Sequence, residues 1–281
     1  MRDFEYYKPT TLQEASDLLL KYGDDAHILN GGTDLLVRIR ENITNPKVVV
    51  DIKGIKELYD IKYDNDGIYI GACVNLNDMA HHKEVKRCYK VLSEGAKSVG
   101  SGQVRNRATM AGNICNASPL ADTSTPLLAL DATLVIFTPE GEKEMSIHDF
   151  FVWVRKTSLK NGEILKAIKI PRYDGIIGGF QKISRRKEVD LSTVGATCCL
   201  ANDEYRIALA SVAPTPIRAR KTEEYLKGKR LTNEVIEEAC EIAATECAPI
   251  GDVRASKEYR VDMVKVAIKR SLEVIKEEVS K

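Results

Sequence analysis

Ile28-Leu29-Asn30-Gly31-Gly32-Thr33-Asp34 is the stretch on which the reading of this chain turns. Upstream, Thr11-Leu12-Gln13-Glu14 has the form of a capping box, and Leu12, Ala15, Leu18 and Leu19 share one helical face until Gly23. Residues 26–29 read as a short strand entering the two glycines. Residues 35–39 restart a helix, and residues 47–52, rich in valine, read as a buried strand. Strand, Gly-Gly turn, helix is an α/β signature in which backbone N–H groups can crowd around an anion, because glycine has no Cβ and reaches φ > 0. A second segment, Thr109-Met110-Ala111-Gly112-Asn113, runs on through Ser118-Pro119 to Asp122 and repeats the idea. Each segment carries a threonine hydroxyl, and neither carries the lysine of a P-loop. Asp34 is expected to cap the helix or fix the turn, since a carboxylate repels phosphate. One Gly-Gly pair alone marks a turn; two such segments predict a clamp that grips a diphosphate-linked cofactor with amides.

The composition narrows the field. The 281 residues are 43% hydrophobic and 30% charged, enough for a sizeable core in two or three subdomains. With 42 basic against 41 acidic residues the net charge is +1, which gives no electrostatic case for nucleic acid. The start, Met1-Arg2-Asp3-Phe4-Glu5-Tyr6-Tyr7, has no apolar signal region, and no segment reaches the ~18 apolar residues of a membrane span. A cytoplasmic location is expected. Cys73, Cys88, Cys115, Cys198, Cys199, Cys240 and Cys247 include no C-x-x-C pair, so neither zinc nor iron–sulfur ligation is expected. Buried free thiols are the reading, with Cys198 and Cys199 on opposite faces of one strand.

The remaining sequence divides by pattern. Residues 59–63 and 68–72 flank Asn65-Asp66-Gly67, a hairpin signal. Helices are predicted at 75–80 and 89–99, followed by a small, polar, irregular run at 100–107. Helix at 127–132 and strands at 133–137 and 163–170 complete this block. Beyond Pro171, strands at 179–184, 193–200 and 205–212 precede helices at 218–226, 234–245 and 258–279, an α+β arrangement. His27, His81, His82 and His148 have no partner spacing for a triad or a metal. Trp153 is read as core or subunit interface, and Tyr6 and Tyr7 as packing residues.

Together, Leu29-Asn30-Gly31-Gly32-Thr33-Asp34 and residues 105–114, Arg-Asn-Arg-Ala-Thr-Met-Ala-Gly-Asn-Ile, resemble the two flavin signatures of the FAD subunit of molybdenum hydroxylases. These are the relatives of xanthine dehydrogenase and carbon monoxide dehydrogenase. Asn116-Ala117-Ser118-Pro119-Leu120-Ala121-Asp122, Ala213-Pro214-Thr215-Pro216-Ile217-Arg218 and Arg254-Ala255-Ser256-Lys257 fit the same pattern in the same order. The segment Asn113-Ile114-Cys115-Asn116 is most similar to the bacterial xanthine dehydrogenase branch. The resemblance implies an α+β fold of the p-cresol methylhydroxylase type: FAD-binding subdomains at 1–56 and 57–172, and a C-terminal domain at 176–281 with a three-stranded antiparallel sheet and helices. It implies that His27 through Asp34 and Thr109 through Asn113 wrap the pyrophosphate. Asp122 would hold a ribityl or ribose hydroxyl, Leu165 would touch the ring, and Lys182 would approach it. Two positions depart from the pattern. Ala111 stands in place of a glycine. Asn30 replaces a small residue, and asparagine tolerates the left-handed conformation such a turn needs.

A flavin site asks little proton chemistry of side chains, because the cofactor exchanges the electrons. A cation from Lys182, Arg185 or Arg186 would tune its potential. No acid–base pair for a substrate is visible, so the chain is expected to relay electrons rather than act on substrate. By resemblance its partners are a small [2Fe-2S] subunit and a large molybdopterin subunit, with NAD+ or another acceptor downstream. The alternatives are a self-sufficient flavin oxidoreductase and a non-enzymatic phosphate-binding module.

Overall fold

The computed structural model describes residues 3–281; Met1 and Arg2, part of the N-terminal reading above, lie outside the described residues. Strand β1 (Glu5–Tyr7), helix α1 (Leu12–Tyr22), β2 (Ala26–Leu29), α2 (Leu35–Arg40) and β3 (Val48–Asp51) build a parallel sheet of order β1-β3-β2. The capping box forms one residue out of phase: Thr11 Oγ1 accepts from the Glu14 N–H at 3.2 Å, but the Glu14 carboxylate accepts from the N–H of Thr10, at 2.8 Å. Leu12, Ala15 and Leu19 are buried as the helical period requires.

The next block opens with the hairpin β4 (Ile61–Tyr63) and β5 (Gly67–Gly71). Gly67 is required there: its φ is +135°, and a Cβ would stand 2.1 Å from the Ile170 carbonyl of the neighbouring strand. Six short helices follow: α3 (Leu76–His81), α4 (Lys83–Cys88), α5 (Lys90–Lys97), α6 (Gly102–Arg105), α7 (Met110–Cys115) and α8 (Ser124–Ala129). The run at 100–107 thus holds one helical turn, α6. Strands β6 (Thr133–Thr138), β7 (Gly141–Ser146) and β10 (Ile164–Pro171) complete a five-stranded sheet, β4-β5-β10-β6-β7, antiparallel throughout. Between β7 and β10 lies a separate hairpin, β8 (Phe151–Trp153) and β9 (Lys156–Thr157). Trp153 sits on it 59% exposed, which removes the core reading of that residue. Tyr6 is exposed as well and donates its hydroxyl to Asp51.

The last block is β11 (Ile176–Ile183), β12 (Val194–Ala201), β13 (Glu204–Ala210), β14 (Ile217–Arg218), α9 (Arg220–Leu226), α10 (Asn233–Thr245) and α11 (Lys257–Val279). Its antiparallel sheet has four strands, not three: after Pro214 and Pro216 the chain adds the two-residue edge strand β14 to β13 before turning helical. Cys198 packs in the core under α10 and α11, whereas Cys199 belongs to the core shared with the first two sheets. Every residue from Val194 to Ala201 except Leu200 is therefore buried, as expected for a strand covered on both faces.

A hub of charge joins the second block to the third. Asp131, in the α8–β6 turn at φ +45°, accepts from Arg218 at 2.6 Å and from Arg206, and contacts His148 Nε2 at 2.7 Å. Burial alone would raise the Asp131 carboxyl, but His148 and the two guanidinium groups outweigh it and hold it well below the usual range. Asp131→Ala would leave Arg206 and Arg218 facing each other. Because Asp131 is about one-third exposed, solvent softens the effect, and the expected loss by urea unfolding is about 2 kcal/mol.

Candidate functional site

The two glycine segments, 77 positions apart between Gly32 and Thr109, meet in space. The side-chain amide of Asn30 donates to Thr109 Oγ1 at 3.0 Å and to the Ala72 carbonyl at 2.8 Å. Gly31 lies so close to the second segment that a Cβ there would stand 2.1 Å from the Arg107 carbonyl oxygen. Thr109 caps α7, accepting from the Gly112 N–H at 2.9 Å, and is 3% exposed. Its hydroxyl therefore braces the two loops, whereas Thr33 stays exposed. The left-handed residue of the first turn is Gly32, at φ +75°, so Asn30 serves as the cross-loop bridge and not as the turn's left-handed position. Ala111 is accommodated and buried in place of glycine.

The joined loops form one wall of a cleft of about 510 Å3, within the ~300–1,000 Å3 range of ligand sites. His27, Ile28, Asn30, Gly31, Gly32, Thr33, Asp34, Thr109, Ala111, Gly112, Asn113 and Leu165 all line it. Leu29 and Met110 do not: the Leu29 side chain lies beneath Gly32, and Met110 is buried in the core. Asp122 and Lys182 are also absent from the lining. They pair with each other at 2.7 Å, and Lys182 donates at 2.9 Å to the carbonyl of Ser98, the residue before the cleft-lining Val99. Burial pushes the Asp122 carboxyl up, against the opposing pull of Lys182 and the Ser192 hydroxyl.

The cleft fits a diphosphate-linked cofactor on two grounds. The N–H groups of Gly31, Gly32, Thr33 and Asp34 have no acceptor among the described residues, and those of Met110 and Ala111 begin a helix without one. Two buried polar atoms, Asn30 Oδ1 and His27 Nδ1, also lack partners. Each of these two buried atoms costs roughly 1–3 kcal/mol if left unsatisfied, and the loop amides are free to meet a ligand. His27 reaches Thr44 Oγ1 with its other nitrogen at 3.2 Å, and burial lowers its affinity for a proton, so it faces the cleft neutral.

Sequence reasoning missed several lining residues. The segment 159–164 forms the far wall, held to α1 by Ser16 Oγ donating to the Gly162 carbonyl at 2.7 Å. Asn161-Gly162 was its one visible signal, and Gly162 does turn at φ +82°. Arg38 and Arg155 also line the cleft, with no signal in the sequence. Asp34 makes no side-chain cap on α2 and instead accepts from Arg155 at 3.2 Å, so it fixes the turn rather than capping the helix. All seven cysteines are unpaired, and burial pushes the cleft-lining Cys115 up to about 12, an inert thiol. Among the described residues no three metal-binding side chains cluster, and no helix is long and apolar enough to cross a membrane.

Residues 2–173 match the family described as FAD binding domain in molybdopterin dehydrogenase, and residues 180–275 match the CO dehydrogenase flavoprotein C-terminal domain. The chain is 34% identical to the xanthine dehydrogenase FAD-binding subunit of Escherichia coli O157:H7, covering 96% of this chain and 95% of that one. It is 31% identical to the carbon monoxide dehydrogenase medium chain of Hydrogenophaga pseudoflava, over 96% of both. A solved structure of carbon monoxide dehydrogenase from H. pseudoflava superposes with a TM-score of 0.94 over 97% of each chain, at 31% identity.

Proposed function

This chain belongs to the FAD-binding medium subunits of the molybdenum hydroxylases, and on that premise we propose that it relays electrons within a multi-subunit complex. It binds FAD and is the FAD-dependent subunit of an oxidoreductase. In the proposed relay, electrons arrive from [2Fe-2S] clusters on a small partner subunit, fed by a large molybdopterin subunit, and leave to NAD+ or another acceptor, in the cytoplasm. When bound, FAD supplies exchange of electrons singly or in pairs.

The chain's own residues have narrower tasks. We propose that the free amides of Gly31 to Asp34 and of Met110 and Ala111 hold the diphosphate, with His27, Ile28, Asn30, Gly112 and Asn113 shaping the wall around it. Leu165 closes the ring end against water. Asp122, toward a ribityl or ribose hydroxyl, and Lys182, toward the ring, are assigned as a pair tied to the cleft through Ser98, the residue before Val99. The observation that carries the reading is the meeting of the two loops, Asn30 to Thr109 at 3.0 Å, with their unsatisfied amides on one cleft wall.

The chain alone, loaded with FAD, is expected to show the yellow absorbance of bound flavin and no turnover of xanthine. Purification from its native host is expected to bring down molybdopterin and iron–sulfur chains. Xanthine-dependent reduction of flavin in the isolated chain would favour a self-sufficient oxidoreductase.

A further inference from the structure

The loops of the clamp contain no cation, yet a diphosphate brings two negative charges beside the carboxylate of Asp34. One guanidinium stands where it could balance them. Arg155 is the second residue of the two-residue turn between β8 and β9, and it lines the cleft. Its Nη1 donates to Asp34 at 3.2 Å, at the end of the first glycine segment, and to Asn116 just beyond the second. Its backbone N–H donates to the Ala117 carbonyl at 2.9 Å, fixing the hairpin tip beside the second loop. A single side chain thus links both halves of the clamp, in addition to the Asn30–Thr109 bridge.

The conformation adds a second observation. Arg155 has φ +61°, in the left-handed region where glycine or asparagine is favoured and other residues cost about 1–2 kcal/mol. Ala117, which receives its N–H, is left-handed too, at φ +46°. A strained turn held by a charged side chain on a ligand cleft is the pattern in which strain serves the site. The other cations lining the cleft are Arg38, 4.0 Å from Asp34, and Lys160; neither has a hydrogen bond to both loops.

We propose that Arg155 is the cation of the diphosphate clamp: it neutralises Asp34, sets the spacing of the two loops and presents positive charge to the cofactor's phosphates. This inference rests on the cleft being the FAD site. The hairpin also carries its own reporter, since Trp153, the sole tryptophan, lies two residues away.

The test uses the full-length chain stripped of flavin and titrated with FAD at low and moderate salt, following flavin fluorescence and Trp153 emission. Arg155→Gly suits the turn's left-handed backbone and removes the side chain with its guanidinium. It is expected to weaken FAD binding about tenfold and to flatten the salt dependence, while Arg155→Lys recovers part of the affinity. The exposed Arg40→Ala should bind as the unaltered chain does. If Arg155→Gly binds FAD as tightly as the unaltered chain with the same salt dependence, the proposal is overturned. If the unaltered chain itself fails to bind FAD, the reading of the cleft falls instead, so the two failures are told apart. Should Arg155→Gly unfold, Arg155→Gln decides, because it keeps a polar side chain and removes the charge: FAD affinity and salt slope equal to those of the unaltered chain overturn the proposal.

Discussion

A Gly31→Ala chain is expected to fold and to come out of purification colourless. The added Cβ would stand 2.1 Å from the Arg107 carbonyl oxygen, 2.8 Å from its carbon and 3.0 Å from the Ala108 Cα. All three are backbone atoms, and the Arg107 and Ala108 amides are tied to Val104, the latter at 2.7 Å, so no rotamer change relieves the contact. The two loops must move apart by about 1 Å, a displacement that costs oriented contacts on the order of 100-fold. The Asn30–Thr109 bridge stretches with them. The core does not depend on this contact, so the melting temperature should change little while the flavin-to-protein ratio collapses. Gly32→Val acts differently. There the Cβ meets the side chains of Leu29 at 2.9 Å and Leu36 at 3.2 Å, which can yield, and the larger burden is the left-handed backbone at φ +75°. It should bind weakly rather than not at all. Gly102→Ala, with nothing nearer than 4.0 Å, is the matched control. Full flavin occupancy in a folded Gly31→Ala chain would mean that the loops do not act as one clamp.

What could be read beforehand follows from what is local. Strands β2 and β3, the Asn65-Asp66-Gly67 hairpin and the long C-terminal helices are encoded in periodicity and turn residues a few positions apart, and form within a residue or two of where expected. So is the strand–glycine–helix order that sets the clamp's amides. Strand β1 (Glu5–Tyr7), a three-residue edge strand, carried no strand pattern. Strand β7 escaped because it is a polar sheet edge, Gly141-Glu142-Lys143-Glu144-Met145-Ser146, whose glutamates pair with Lys166 and Lys169 rather than alternating with apolar residues. The Asp131 hub and Arg155 were illegible for another reason. Asp131 meets Arg206 and Arg218 across 75 and 87 positions, and Arg155 meets Asp34 across 121. A lone arginine in a chain with 42 basic residues announces none of this. Even Asn30 was read for its tolerance of the left-handed region, whereas its amide turned out to join the loops, a role that exists only once the second segment is in place.

Removing the amine of Lys182 should cost more stability than any other single change considered for this chain. Lys182 is 14% and Asp122 8% exposed, and their contact ties β11 to the turn before α8, with Ser98 and Ser192 completing the ring of partners. Lys182→Met keeps the length of the side chain but strands a carboxylate that burial already disfavours, and breaking such a pair costs about 3–5 kcal/mol. Lys182→Met/Asp122→Leu removes both charges and should regain most of the loss, so a double-mutant cycle by chemical unfolding isolates the pair. The same variants examine the assignment of Lys182 to the flavin ring. An amine directed at the ring stabilises negative charge there, so Lys182→Met should lower the reduction potential of whatever flavin is retained. A brace that only holds the chain at Ser98 would weaken the fold and leave that potential where it was. The double variant sharpens the contrast: stability returns in either case, but a lowered potential persists only if the lysine faced the ring.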